Sequence, residues 1–238
     1  MVDQDLKERF GALQDRLRDP LLTVLAILLP LMIFLIAPLH AAGIIQSQAY
    51  GVAAALIAIG AVLVMSGSLV AVAAMLIAVG LVVTANMLPR TDTSNLDIHL
   101  HAIAWTTLGV ALLWVVARTV FGPGRVTYHR VLGAVLLYLT IGVVFVGLFT
   151  IVGTLVPDAF SNLRMTDDPA LASDLVYFSF VTLTSVGYGD ILPVHPIARS
   201  LCNLEAIIGQ LYPATLLARL VTLELQSEYT SGLGRQEP

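Results

Sequence analysis

Residues 180–190 read "FVTLTSVGYGD", and this stretch decides how the rest of the chain is interpreted. Thr182, Thr184 and Ser185 lead into Val186; Gly187 and Gly189 then flank Tyr188, and Asp190 closes the run. The two glycines can adopt positive φ without steric cost. Alternating them with Val186 and Tyr188 lets successive carbonyls turn to the same side. Such a row, repeated around a symmetry axis, replaces the water shell of a dehydrated cation. Ser185 adds a hydroxyl at the inner end of the row, and Val186 and Tyr188 point outward and hold the loop open. Taken alone, G-Y-G-D is a turn found in many soluble proteins. It is not a dinucleotide-binding loop, because Leu192 stands at the third glycine position and no βαβ unit surrounds it.

The setting is a membrane chain. Of 238 residues, 58% are hydrophobic and 12% charged, about half the charged fraction of a soluble domain. Residues 21–39 and 41–89 contain no charge, and a spanning helix needs about 20 apolar residues. Six spans are read, at 21–39, 48–65, 68–88, 99–121, 129–153 and 197–223, with Ser66-Gly67-Ser68 turning between the second and third. The apolar segment 173–185 is too short to cross. It enters and leaves by one face, and non-helical backbone at that depth survives only where protein buries it or water meets it. The net charge of −4 and the lack of a basic run exclude a nucleic-acid partner. The single cysteine, Cys202, excludes an intrachain disulfide. The mixed charges of the first nineteen residues are not those of a cleavable signal peptide.

Basic residues set the expected orientation. With both termini cytoplasmic, that side collects Lys7, Arg9, Arg16, Arg18, Arg118, Arg125, Arg130, Arg219 and Arg235, and the other collects Arg90, Arg164 and Arg199. The acidic loop 157–172 is then external. Leu6, Phe10, Leu13 and Leu17 make a helical stripe in the first nineteen residues. It either lies on the inner membrane surface or bundles with copies from other subunits. The Ala- and Gly-rich second and third spans suit close helix packing in lipid.

"TSVGYGD" resembles the selectivity filter of potassium channels, whose signature is four TVGYG loops. The resemblance covers about 129–225. "DLVYFSFVTLTSVGYGD" is similar to a whole pore helix and filter, with Tyr177-Phe178 where the family often has two tryptophans, and "ILPVHPIARSL" to the return into the inner helix. It implies an all-α membrane fold: six transmembrane helices, a re-entrant pore helix and a filter loop, assembled as a four-fold homotetramer, since one chain supplies one loop. The division is 1–19, a cytoplasmic amphipathic helix; 20–122, a four-helix membrane domain; 126–226, the pore domain; and 227–238, a short tail. The implied potassium ligands are Ser185, Val186, Gly187, Tyr188 and Gly189, with Tyr177, Phe178, Thr182, Thr184, Asp190 and Glu205 as support. Gly209 falls where the family has a hinge glycine. Ser185 replaces the usual threonine and lacks its stiffening methyl. Val181 stands where some members have a pore-helix glutamate, which leaves Tyr177 as the candidate donor to Asp190.

The expected function is passive conduction of potassium across a plasma membrane, a bacterial inner membrane, with potassium as permeant ion and no cofactor. The fourth span carries Arg118 as its only Arg or Lys, too few for steep voltage sensing. His99 and His101, two apart, do not share a helical face and read as interfacial anchors with Trp105. The tail after the inner helix is too short for a ligand-binding domain. A secondary transporter would show two interrupted spans rather than one, and a non-conducting regulatory subunit would not need an intact filter; an enzyme is not indicated. On the inner helix, Pro213 leaves the Gly209 carbonyl without its helical donor. A bend is expected there, either a hinge or a static kink, with Gln210, Ala214, Leu217 and Val221 lining the pore below it. Glu205 either braces the pore helix, against Thr182 or Ser179, or faces the cavity and attracts cations.

Overall fold

The computed structural model describes residues 20, 22–44, 73–78, 80–81, 96–121, 128–166 and 169–233. The expected N-terminal helix 1–19 and span 48–65 lie outside these residues, as does most of span 68–88. Five helices, with a short helical stretch at 73–78, organise the described part: α1 over 22–41, α2 Leu96–Phe121, α3 Tyr128–Leu155, α4 Pro169–Leu183 and α5 Pro196–Leu233. Three are long and apolar enough to cross a membrane, Leu22–Ala41, Ile98–Arg118 and Val131–Leu155. Helix α4 has only the shorter apolar stretch Ala170–Leu183. Helix α5 is not among the three because Asn203, Glu205 and Gln210 interrupt its apolar residues.

Local chemistry sets the helix ends. In α1, Pro38 supplies no N–H; just before it the ladder widens to a π turn at Met32–Ile36, where the Ala37 N–H bonds to the Met32 carbonyl. Gly43, at φ 72°, ends this helix in the left-handed region. Helix α4 opens on Pro169 and α5 on Pro196, where the missing N–H costs nothing. Helix α4 therefore begins four residues before the expected 173 and ends two before 185, because Ser185 already has φ 58°. Helix α5 also runs past the expected end of the inner span, through most of the short tail, to Leu233.

Two apolar cores hold these elements. In one, Leu22, Leu25 and Ala26 of α1 meet Leu108, Leu112 and Val116 of α2 and Ala134, Leu136 and Leu137 of α3. The other lies around the lower part of α4, where Phe149, Phe160 and Phe178 form an edge-on triangle with ring centroids 5.0–5.8 Å apart. A two-stranded antiparallel ribbon pairs β1, Phe160–Ser161, with β2, Leu192–Pro193. It ties the segment before α4 to the segment after the glycine loop.

Candidate functional site

The loop 184–190 leaves the C-terminus of α4 with its amides turned back onto that helix. Thr184 N–H donates to Phe180 O at 3.1 Å, Ser185 N–H to Thr182 O at 2.9 Å, and Val186 N–H to Val181 O at 2.9 Å. Gly187 N–H shares Val181 O at 3.4 Å. The carbonyls of Ser185, Val186, Gly187 and Tyr188 accept no hydrogen bond from the described residues. Ser185, Gly187 and Gly189 have φ of 58°, 55° and 82°, alternating with Val186 and Tyr188. The expectation of positive φ holds at both glycines; its extension to Ser185 was not anticipated. The negative end of the α4 dipole lies at the start of the loop.

The supports sort by face. Tyr177 stacks on Tyr188 with centroids 6.2 Å apart and planes at 8°. Its hydroxyl donates to the Asp190 carboxylate, which holds Asp190 below the usual aspartate range and pushes Tyr177 up to about 12. Phe178 turns the opposite way, into the aromatic triangle. The hydroxyls of Thr182 and Thr184 both turn back onto α4, to Phe178 O at 2.8 Å and Phe180 O at 2.6 Å, so neither bonds a loop residue beyond Thr184. Sequence reasoning missed Asn162, whose Nδ2 donates to Asp190 O at 2.9 Å. It missed Ala159 too, whose carbonyl takes the Val194 and His195 N–H groups. These residues clamp the exit of the loop from a segment with no periodicity to announce it.

Helix α5 closes the site from behind. Glu205 is fully buried, and its Oε1 lies 2.6 Å from Ser179 Oγ, which is itself 2.9 Å from Gly142 O of α3. Of the two partners weighed for Glu205, Ser179 is the one in contact. Its Oε2 has no partner among the described residues. At Gly209 an added Cβ would overlap the Leu183 carbonyl oxygen. This glycine has a packing reason to be there that the hinge reading did not contain. Gln210 Nε2 donates to Ser185 Oγ at 3.0 Å, and Tyr212 OH donates to Ala134 O of α3 at 2.8 Å. Both bonds join residues too far apart in sequence for spacing to show them. Below these contacts Ala214 and Leu217 are exposed, and α5 continues unbroken through Pro213. The side chain of Val221 lies outside the described residues. His99 Nδ1 sits 3.0 Å from Thr154 Oγ1, and no group of three metal-ligating side chains occurs among the described residues.

The arrangement presents four carbonyls that accept no hydrogen bond from the described residues, beside a hydroxyl, on a loop held by α4, α5 and Asn162. Residues 143–225 match the ion channel family, a span that takes in the loop, α4 and most of α5. Among curated proteins, Protein LctB of Bacillus caldotenax is 38% identical over 60 residues, covering 25% of this chain and 44% of that protein. Protein LctB of Geobacillus stearothermophilus is 42% identical over 52 residues, covering 22% and 38%. The inward rectifier potassium channel Kirbac3.1 of Paramagnetospirillum magnetotacticum is 37% identical over 54 residues, covering 23% and 17%. Each match spans less than half of the relative's length. No solved structure matches significantly. The similarities that carry a described function are to an ion channel family and to a potassium channel.

Proposed function

We propose that residues 185–189 are the selectivity filter of a potassium channel, formed by four copies of this chain around one axis. One observation carries the reading: the amides of Ser185, Val186 and Gly187 are consumed by α4, while the carbonyls of residues 185–188 have no donor among the described residues. These residues are exposed in the single chain, so their carbonyls are open to a ligand or to a second copy. Four sets of these would offer a dehydrated cation the oxygens it loses with its water. The likeness to a potassium channel supports potassium as that cation. One loop cannot surround an ion, so a heterologous interface that closes on itself is required.

Conduction is passive, down the electrochemical gradient, across a plasma membrane, with both termini on the cytoplasmic side. The protein's partners are its own copies and the bilayer. Potassium is the permeant species, and no resident cofactor enters the mechanism. Full-length protein purified into liposomes is expected to pass potassium well ahead of sodium. Gly187→Ala, which puts a Cβ on a residue at φ 55°, is expected to abolish selective flux. Equal permeability of the two ions in the wild type would sink the reading.

A further inference from the structure

Ser185 is held in a conformation that serine does not favour. Its φ of 58° lies in the left-handed region, where a side chain meets the backbone. Its N–H is fixed by Thr182 O at 2.9 Å, but that bond leaves χ1 free. A threonine would restrict χ1 through its branched Cβ; serine has no second substituent to do so. The direction of the hydroxyl, and with it the innermost oxygen of the loop, is therefore not set by residue 185 itself. The contact that does set it comes from α5, where Gln210 Nε2 donates to Ser185 Oγ at 3.0 Å.

We propose that Gln210 is a positioning residue for ion selectivity: its carboxamide fixes the Ser185 hydroxyl and so builds the innermost cation site, doing for serine what the branched methyl does for threonine. This rests on the reading of 185–189 as a potassium filter. The donor count suits the role. A hydroxyl oxygen carries one hydrogen and two lone pairs. The amide occupies one lone pair and leaves the other for a cation, without placing a competing acceptor beside it. The register of α5 delivers the amide to this point. Gly209, the preceding residue, lies against the Leu183 carbonyl where a Cβ would overlap, and Glu205 bonds Ser179 just over one turn earlier. Residue 210 is thereby held within reach of Ser185 and not of the helix behind it.

The test uses full-length protein in liposomes, with the potassium-to-sodium flux ratio as readout and thermal stability of the assembly as control. Gln210→Leu and Gln210→Met remove the donor; Gln210→Glu replaces it with an acceptor of the same shape. Each is expected to lower the ratio by about 3- to 10-fold, the range for one lost hydrogen bond, with little change in stability. The decisive arm is the Ser185→Thr background. Measured against Ser185→Thr alone, adding Gln210→Leu is expected to change the ratio less than about two-fold, because the branched side chain orients itself. A wild-type ratio in Gln210→Leu and Gln210→Met, or an equal loss with serine and threonine, overturns the proposal. A wild type that does not distinguish potassium from sodium brings down the filter reading, and this proposal with it.

Discussion

One hydrogen decides how the junction behind the loop is bonded. Ser179 Oγ stands 2.9 Å from Gly142 O and 2.6 Å from Glu205 Oε1, yet a hydroxyl has a single hydrogen to give. Both contacts become hydrogen bonds if Ser179 donates to Gly142 and the carboxyl donates to Ser179. A carboxamide at 205 supplies that hydrogen from its N–H, whereas a truncated side chain leaves Ser179 short and a void in a closed core. Glu205→Gln is thus expected to keep the assembly and its selectivity, and Glu205→Ala to lose about 1–3 kcal/mol of stability, read by thermal unfolding. A Glu205→Gln channel with sharply reduced conductance and normal stability would instead assign Glu205 to attracting cations. At the other end of the loop, the Tyr177 hydroxyl depresses the pKa of Asp190. A depressed folded-state pKa stabilises above the unfolded value, and the gain is lost as pH falls from that value, about 3.9, through the folded one. Tyr177→Phe is expected to return Asp190 toward its ordinary range, so that acid disrupts flux at a higher pH than in the wild type. A pH–flux profile unchanged by Tyr177→Phe would remove this bond from the account.

At the scale of elements, α5 divides at Pro213. Above it, Glu205, Gly209, Gln210 and Tyr212 each touch α4, the loop or α3. Below it, Arg219 Nη2 bonds Phe121 O at 3.0 Å, at the C-terminus of α2, with its guanidinium over the Phe121 ring at 4.9 Å. A swing of the lower half would have to break or carry that contact. Pro213→Ala restores an N–H to the ladder and is expected to lower open probability in single-channel recordings; an unchanged value would leave a static kink. Gly209→Ala is a poor companion test, since it disturbs packing against Leu183 whatever the hinge does. The same helix shows what sequence could and could not disclose. The glycines of 187 and 189 were legible because positive φ is a local property of the residue. The early start of α4 at Pro169 was missed because a re-entrant helix is bounded by caps and not by membrane thickness. The Gln210–Ser185 and Tyr212–Ala134 bonds were invisible because they join residues 25 and 78 apart, and no periodicity encodes such a pair. Gly209 was noticed for flexibility, while its contact with a carbonyl from another helix emerges only once both helices are placed.

At the scale of the whole molecule, α3 lies against α1 and α2, and these two described helices carry few charges to move. Helix α2, which packs along α3, has Arg118 as its only Arg or Lys. That guanidinium lies over the Trp114 ring, 4.8 Å from its centroid, near the helix end, where a long cationic side chain reaches toward the headgroups. Moving one elementary charge through a full 100 mV supplies about 2.3 kcal/mol. A charge already at the interface crosses only a small part of the field and supplies correspondingly less. In the proposed tetramer, four copies of one such residue cannot generate the steep opening that several buried charges per chain produce. Open probability is therefore expected to change only shallowly with voltage across a planar bilayer, and Arg118→Gln to leave that slope as it was. Curvature in the current from ion occupancy of the loop is compatible with this, because it reports permeation and not gating. A steep open-probability curve that flattens in Arg118→Gln would show that α2 moves in the field, and a steep curve indifferent to Arg118 would place the sensor on other charges of the chain.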